Sequence, residues 1–375
     1  MPPISPRGEP PLPPPRDVRM GFAIEKYTGF DEYVAELSAL RDADPSRVTT
    51  HSDRTTYSGG YPLYWVTLGD TRKPAILIVS VLHARHEWQG AHLTLAFLRK
   101  LLDPEDDQRD FNSRLLDQLC VIAIPMVNVW GYFASPDGVH HNNHGAPVAG
   151  IERADWHDMT NYRYYHGVNL NRNFDWNWDA YPSLPWSVRR YWNGSDYGFA
   201  NYFMMPFHLD EHGNEVFDPE NAYPNHILKP DAAVFDYKGE APFSEPETQL
   251  VRDLFARYRV AGFIDVHLMN SWHSRNASYI SRSVDREWVT RWVDDAIAAV
   301  NRRNRSAGAQ LPATQHIVME EYDGNAPYSV NWAQNEMRVR SFAWETGTAF
   351  PEPIWTDAYM EMFYRAVSWM QTEAR

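Results

Sequence analysis

Cysteine is almost absent from this chain: Cys120 is the single one in 375 residues. No intramolecular disulfide can form, so the fold does not depend on oxidation. The thiol lies in an apolar run from Leu119 to Pro125 and reads as a buried, inert side chain. Long apolar runs are missing too. Nothing approaches the roughly 18 consecutive apolar residues that a membrane span needs. The stretch from Met1 to Arg16 is proline-rich and lacks the apolar centre of a secretory signal, so a cytoplasmic location is expected. Basic charge is scarce, with 35 Lys and Arg against 49 Asp and Glu and a net charge of −14. Phosphate contact needs clustered cations, so general binding to nucleic acid or to anionic membranes is excluded. No internal repeat is visible.

What the chain does have is apolar and aromatic mass: 43% hydrophobic residues, with 15 Trp, 21 Tyr and 17 Phe. This is enough to bury a sizeable core. Residues 1–26 read as a proline-rich, poorly ordered arm, and residues 27–375 as one domain. Helical spacing runs from Phe30 to Arg41, with Asp31 as its N-cap. Strand-like segments follow at Tyr61–Gly69, Ala75–His83 and Cys120–Val129, with a helix at Ala91–Leu102. A helix over Glu245–Tyr258 is introduced by Ser244 with Glu247 three residues on, a capping-box pattern. Strands at Phe263–His267 and Val339–Glu345 and a helix at Thr356–Thr372 complete the pattern. Strands alternating with helices predict an α/β fold: a mixed, mainly parallel twisted sheet flanked by helices on both faces. Residues 176–242, rich in Trp, Tyr, Pro, Asn and Asp, show little periodicity and read as an insertion over the site.

Ligands of open α/β sheets bind beyond the carboxyl ends of the strands. Those ends carry His83, Asn128, His267 and Glu345. A histidine leaving a strand and an acid in the next helical turn, His83 and Glu87, can converge on a metal with the distant His267. A catalytic zinc takes three such nitrogen or oxygen ligands and keeps one position open. The stretch from Gly138 to Gly145 adds His140, His141 and His144, which read as a polar loop rather than a second metal site.

At this point the sequence resembles a family, the zinc metallocarboxypeptidases. The run AILIVSVLHARHEW is similar to their first zinc segment, and Val168-Asn169-Leu170-Asn171-Arg172-Asn173-Phe174 to their Asn-Arg motif. Phe243-Ser244-Glu245-Pro246-Glu247-Thr248 resembles the helix start before their third strand. Val127–Tyr132 resembles a shorter Asn-x-x-Gly-aromatic motif, and Ser341–Gly347 the strand with the catalytic glutamate. All occur in family order. The resemblance implies one zinc ion, hydrolysis of a peptide or amide bond beside a free carboxylate, and Glu345 as the base. It implies Asn171 and Arg172 as the grip on the substrate carboxylate, Arg163 (or Arg153) at the oxyanion, and Tyr322 (or Tyr328) as the closing tyrosine. It also places Val330 where side-chain preference is set, which disfavours a pocket for Lys or Arg.

Departures leave alternatives open. The family spaces its His and Glu by three positions, whereas Glu87 stands four after His83 and position 86 is itself histidine. Either His83, Glu87 and His267 hold zinc, with Arg85 and His86 absorbing the extra residue, or His86 replaces Glu87. The expected partner is a peptide or an acylated amino acid. A related zinc amidohydrolase and a zinc-less peptide-binding module are the competing readings. No activation segment is expected ahead of the domain.

Overall fold

Runs of Ile, Leu, Val and Ala cannot stay beside water, and the strongest of them become neighbouring strands at the middle of one sheet. The computed structural model describes residues 27–56, 60–83, 87–103, 105, 108–134, 143–144, 168–179, 207–209, 215–217, 238–239, 241–269, 277–279, 286–303, 317–318, 327–347 and 353–371. Helix α1 (Phe30–Ala43) leads to strands β1 (Val48–His51), β2 (Trp65–Leu68) and β3 (Ala75–Ser80). Then come α2 (Trp88–Leu102), α3 (Arg109–Leu116), β4 (Cys120–Ile124), α4 (Val129–Phe133), β5 (Asn143–His144) and β6 (Val168–Asn169). A hairpin of β7 (Phe207–Leu209) and β8 (Glu215–Phe217) precedes α5 (Pro246–Arg257), β9 (Val260–Met269) and β10 (Ala277–Tyr279). Helix α6 (Arg286–Arg303), β11 (Ile317–Val318), α7 (Ser329–Asn335), β12 (Arg340–Gly347) and α8 (Pro353–Met370) complete the order.

The main sheet has eight strands in the order β1-β2-β4-β3-β9-β12-β10-β11. Its centre, β4-β3-β9-β12, is parallel. Strands β1, β2 and β10 join antiparallel, and β11 runs parallel to β10. The expected mixed, mainly parallel α/β sheet is therefore observed. Every residue of β3 and β4 is buried, as a sheet covered on both faces requires. Side chains alternate along β9, so each face has its own cover. On one face Gly262 lies against Met370 of α8, and Phe363 of α8 stacks on Phe97 of α2. On the other face Phe263 meets Phe255 of α5.

Several boundaries differ from the sequence pattern for local reasons. Strand β3 stops at Ser80 because Val81 turns into the left-handed region, with φ of 60°. Strand β4 stops at Ile124, and Asn128 caps α4 by accepting from the Gly131 amide at 2.9 Å. The N-cap of α1 is Gly29; Asp31 lies inside the first turn. Ser244 does not cap α5, whose N-cap is Glu245 without a side-chain cap bond. Its hydroxyl donates to Glu245 Oε1 and accepts from Asn173, so the capping-box pattern is spent on another contact. The sequence pattern missed α3, α4, α6, α7, β1, β10 and β11, together with the short strands β5 to β8. Among the described residues no helix is long and apolar enough to cross a membrane. The proline-rich arm lies outside the described residues, as does most of the 176–242 insertion.

Candidate metal centre

Two segments far apart in sequence, the loop with His83 and Glu87 and the strand with His267, meet at the carboxyl end of the sheet. His83 follows the turn at Val81. Its approach is fixed because the backbone beyond β4 continues the pairing: Val127 N–H donates to Ser80 O and Asn128 N–H to Val81 O, both at 2.9 Å. The Asn128 amide adds a bond to Leu82 O at 3.2 Å. Asn128, expected at a strand end, thus braces the loop that carries His83. Glu87 closes the other side, at the N-cap of α2, and its Oε2 accepts from the His83 amide at 2.9 Å. His267 projects from β9. Its Nδ1 lies 2.8 Å from Glu87 Oε1, and its ring centroid lies 5.0 Å from that of His83. One donor atom from each of His83, Glu87 and His267 lies within 4.8 Å of the others, and all three residues are buried. Two imidazoles and one carboxylate fit a catalytic zinc with one open position.

The electrostatics of this cluster are those of buried charge. Burial pushes the Glu87 carboxyl above the usual carboxylate range, against the pull of His267 and the His83 amide. Burial alone would lower His267. The carboxylates of Asp265 and Glu87 outweigh it and hold the imidazole well above its usual range. Asp265, two residues before His267 on the same face of β9, places Oδ2 2.9 Å from His267 Nε2. Sequence reasoning missed this acid; the spacing Asp265-Val266-His267 on a buried strand was its signal, since a carboxylate there must have a partner.

A second assembly stands beside the first. After β6 the chain makes a single 3₁₀ turn, Leu170–Arg172, started by Asn169 accepting from the Asn171 amide at 3.1 Å. Asn171 Oδ1 accepts from the Ser329 amide at 3.2 Å. Its Nδ2 lies 3.5 Å from His267 Nε2, a contact rather than a bond when Nε2–H is directed at Asp265. Arg172 is fully buried, and its guanidinium lies over the Tyr328 ring, 4.2 Å from the centroid. Asn173 then ties the turn to the start of α5. Its Nδ2 donates to Lys238 O, Ala241 O and Ser244 Oγ, and its Oδ1 accepts from the Glu245 amide and the Thr248 hydroxyl.

Of the residues singled out from sequence, the structure brings His83, Glu87, His267, Asn171 and Arg172 together. Glu345 is described by its backbone, and the β9–β12 register pairs it with His267. Val330 is buried on α7, where its carbonyl accepts from Ser341 Oγ at 3.3 Å. His144, in β5, pairs by backbone with Val168 just before the Asn-Arg turn. Arg85, His86, His140, His141, Arg153, Arg163 and Tyr322 lie outside the described residues. Cys120 is buried, which pushes its thiol up to about 12 and makes it inert at neutral pH.

No curated protein sequence matches the chain significantly. Solved structures do. Bovine thrombin-activatable fibrinolysis inhibitor, in complex with tick carboxypeptidase inhibitor, aligns at 17% identity with a TM-score of 0.58, over 92% of this chain and 97% of that one. Carboxypeptidase A from Helicoverpa armigera aligns at 18% identity with a TM-score of 0.60, over 93% of this chain and 74% of that one. The metallo-carboxypeptidase of Pseudomonas aeruginosa, bound to (2-guanidinoethylmercapto)succinic acid, gives 12% identity and a TM-score of 0.52, over 92% and 70%. At these identities the likeness establishes the fold. The peptidase M14 family, described as zinc carboxypeptidase, matches residues 33–202 and 205–355, well over half of the sequence. The chain belongs to the zinc carboxypeptidase family and is a zinc-dependent peptide hydrolase.

Proposed function

We propose that the chain removes residues from the carboxyl end of peptides, with His83, Glu87 and His267 as the zinc ligands and Glu345 as the base. The observation that carries this reading is the convergence of those three buried donors within 4.8 Å. It favours Glu87 over His86 as the second ligand, because Glu87 already faces His267 and the His83 amide. When bound, zinc supplies Lewis-acid polarisation of the scissile carbonyl and acidifies the attacking water.

The remaining steps belong to the chain. Glu345, in register with His267, takes the proton of the attacking water and returns it to the leaving amine. Arg172 binds the terminal carboxylate through its planar fork, and stacking on Tyr328 restrains the guanidinium. Asn171, held by the Ser329 amide, adds its side-chain N–H to the same carboxylate. Arg163 steadies the developing oxyanion, Tyr322 closes over the bound residue, and Val330 favours an apolar side chain there.

The test is zinc content together with hydrolysis of blocked dipeptides bearing a free carboxylate, for the parent and for Glu345→Gln. One zinc per chain is expected in both, with activity falling by roughly 10²–10⁴-fold in the variant, the usual share of a general base. A parent that takes up no zinc after reconstitution overturns the metal assignment. Full activity in Glu345→Gln overturns the base. Cleavage confined to acylated amino acids moves the substrate to the amidohydrolase class.

A further inference from the structure

Asp265 is a carboxylate with no exposure to solvent, set between Ile264 and Val266 on a central strand. Burying such a group costs several kcal/mol unless it is paired and hydrogen-bonded. Its Oδ2 has two partners of different kinds. One is His267 Nε2 at 2.9 Å. The other is the hydroxyl of Ser329, the first residue of α7, which donates to the same oxygen. Ser329 in turn gives its backbone N–H to Asn171 Oδ1. Asp265 therefore stands at a junction: the metal cluster on one side, the turn carrying Asn171 and Arg172 on the other.

Given the zinc assignment above, we propose that Asp265 is the positioning residue that joins the two halves of the site. By accepting the Nε2–H of His267 it fixes the tautomer that leaves Nδ1, the atom facing Glu87, for the metal. By accepting from Ser329 it fixes the start of α7, and so the amide that orients Asn171. One buried carboxylate sets both the direction of the histidine lone pair and the place where the substrate carboxylate is held. A carboxylate also makes the imidazole a stronger electron donor than a neutral acceptor would.

Three substitutions read the two arms separately. Asp265→Asn keeps the shape and removes the charge, Ser329→Ala cuts only the second arm, and His267→Ala removes the ligand itself. The primary readout is zinc affinity, measured on the metal-free protein by competition with a chromogenic chelator, and needs no turnover. Asp265→Asn is expected to weaken zinc by about 10–100-fold, the range typical of such outer partners. Ser329→Ala is expected to leave zinc affinity unchanged and to raise KM for a blocked dipeptide more than it lowers kcat. Far-ultraviolet circular dichroism and the urea midpoint of each metal-free variant separate these effects from misfolding. The proposal is overturned if Asp265→Asn binds zinc as tightly as the parent while His267→Ala does not. It is equally overturned if Ser329→Ala leaves KM unmoved. If His267→Ala itself keeps parental zinc affinity, the ligand assignment fails first, and the two failures are told apart.

Discussion

The metal cluster and the Asn-Arg turn serve one reaction but are built by different means. His267 and the approach to His83 are fixed by the sheet. Backbone ladders join β3, β4, β9 and β12, and the Ser80–Val127 and Val81–Asn128 bonds extend them to the edge of the cluster. Arg172 and Asn171 sit on a turn three residues long with almost no ladder of its own. Side chains hold that turn instead, chiefly Asn173, and aromatic rings pack around it: Phe174, Phe243 and Trp332 meet with centroids 5.2–5.8 Å apart. Both regions carry a non-glycine residue at positive φ, Val81 at 60° and Phe243 at 54°. Strained backbone persists only where surrounding contacts over-determine it. Around Val81 those contacts are the extended sheet bonds; at Phe243 they are the amide bond to Asn173 O at 2.7 Å and the ring cluster. A main-chain scaffold tolerates many side chains, whereas a scaffold made of one side chain does not.

The largest effect is accordingly expected at Asn173. Asn173→Ala removes one hydrogen-bond partner each from two backbone carbonyls, one amide and two hydroxyls, while the hydroxyls keep their bonds to Glu245 and Ala241 O keeps the Ser244 amide. Each lost bond costs about 0.5–1.5 kcal/mol, so the five together should cost about 4 kcal/mol. Urea unfolding should show it as a lower midpoint at constant slope. Zinc affinity of the folded fraction should hold while KM rises, since the cluster keeps its own scaffold. A parallel loss of zinc affinity would break the comparison by showing that the turn supports the metal site as well.

On the sheet side the weak point is Gly131. A Cβ there would lie 2.5 Å from Asn128 Oδ1, the atom that caps α4. Only glycine admits this approach. Gly131→Ala should push the Asn128 side chain away and loosen its bond to Leu82 O, one residue before His83. A stability loss of about 2–3 kcal/mol is expected, in the range of other overpacked sites. It should come with weaker zinc binding and an unchanged ratio of KM to the zinc-saturated parent's. Intact zinc affinity would mean that the ladder alone fixes His83 and that the asparagine is dispensable.

This contrast also decides what could be read from the sequence. The strands of the sheet were legible because burial on both faces forces uninterrupted apolar runs, as in Ala75–Ser80 and Cys120–Ile124. Their ends drew attention to His83, Asn128, His267 and Glu345 once alternating strands and helices had pointed to an open α/β sheet. Asn171 and Arg172 were legible only through a motif, because no periodicity marks a single turn. Ser329 was not legible, and Asp265 was legible only in part. The spacing Asp265-Val266-His267 marks one partner on the same strand face, but the other, Ser329, lies 64 positions away and leaves no local sign. Ser244 misled for the same reason: its spacing to Glu247 fits a capping box, but Asn173, 71 positions away, claims the hydroxyl.

The smallest effect concerns the outer side of the metal half and separates its stability from its ligands. His92, on α2, stacks on Tyr27 with ring centroids 4.1 Å apart and lies 5.6 Å from the Trp88 ring in an edge-on arrangement. Burial, assisted by the Arg99 charge, pushes this imidazole from 6.5 down to about 4. The folded protein therefore holds His92 neutral where the unfolded chain would bind a proton. Because the unfolded state takes up more protons in this window, stability rises with pH between about 4 and 6.5 and falls as the solution is acidified through it. Going from pH 7 to pH 5 should remove about 2 kcal/mol through this group. Replacing the ring with one that cannot titrate, His92→Phe, keeps the stacking and should flatten that part of the profile. The measurement is the urea midpoint of metal-free parent and variant at both pH values. The metal ligands titrate alike in the two proteins, so the difference in slope belongs to His92. Equal slopes would place the acid sensitivity of this half in the ligands themselves, and the outer face of α2 would then carry none of it.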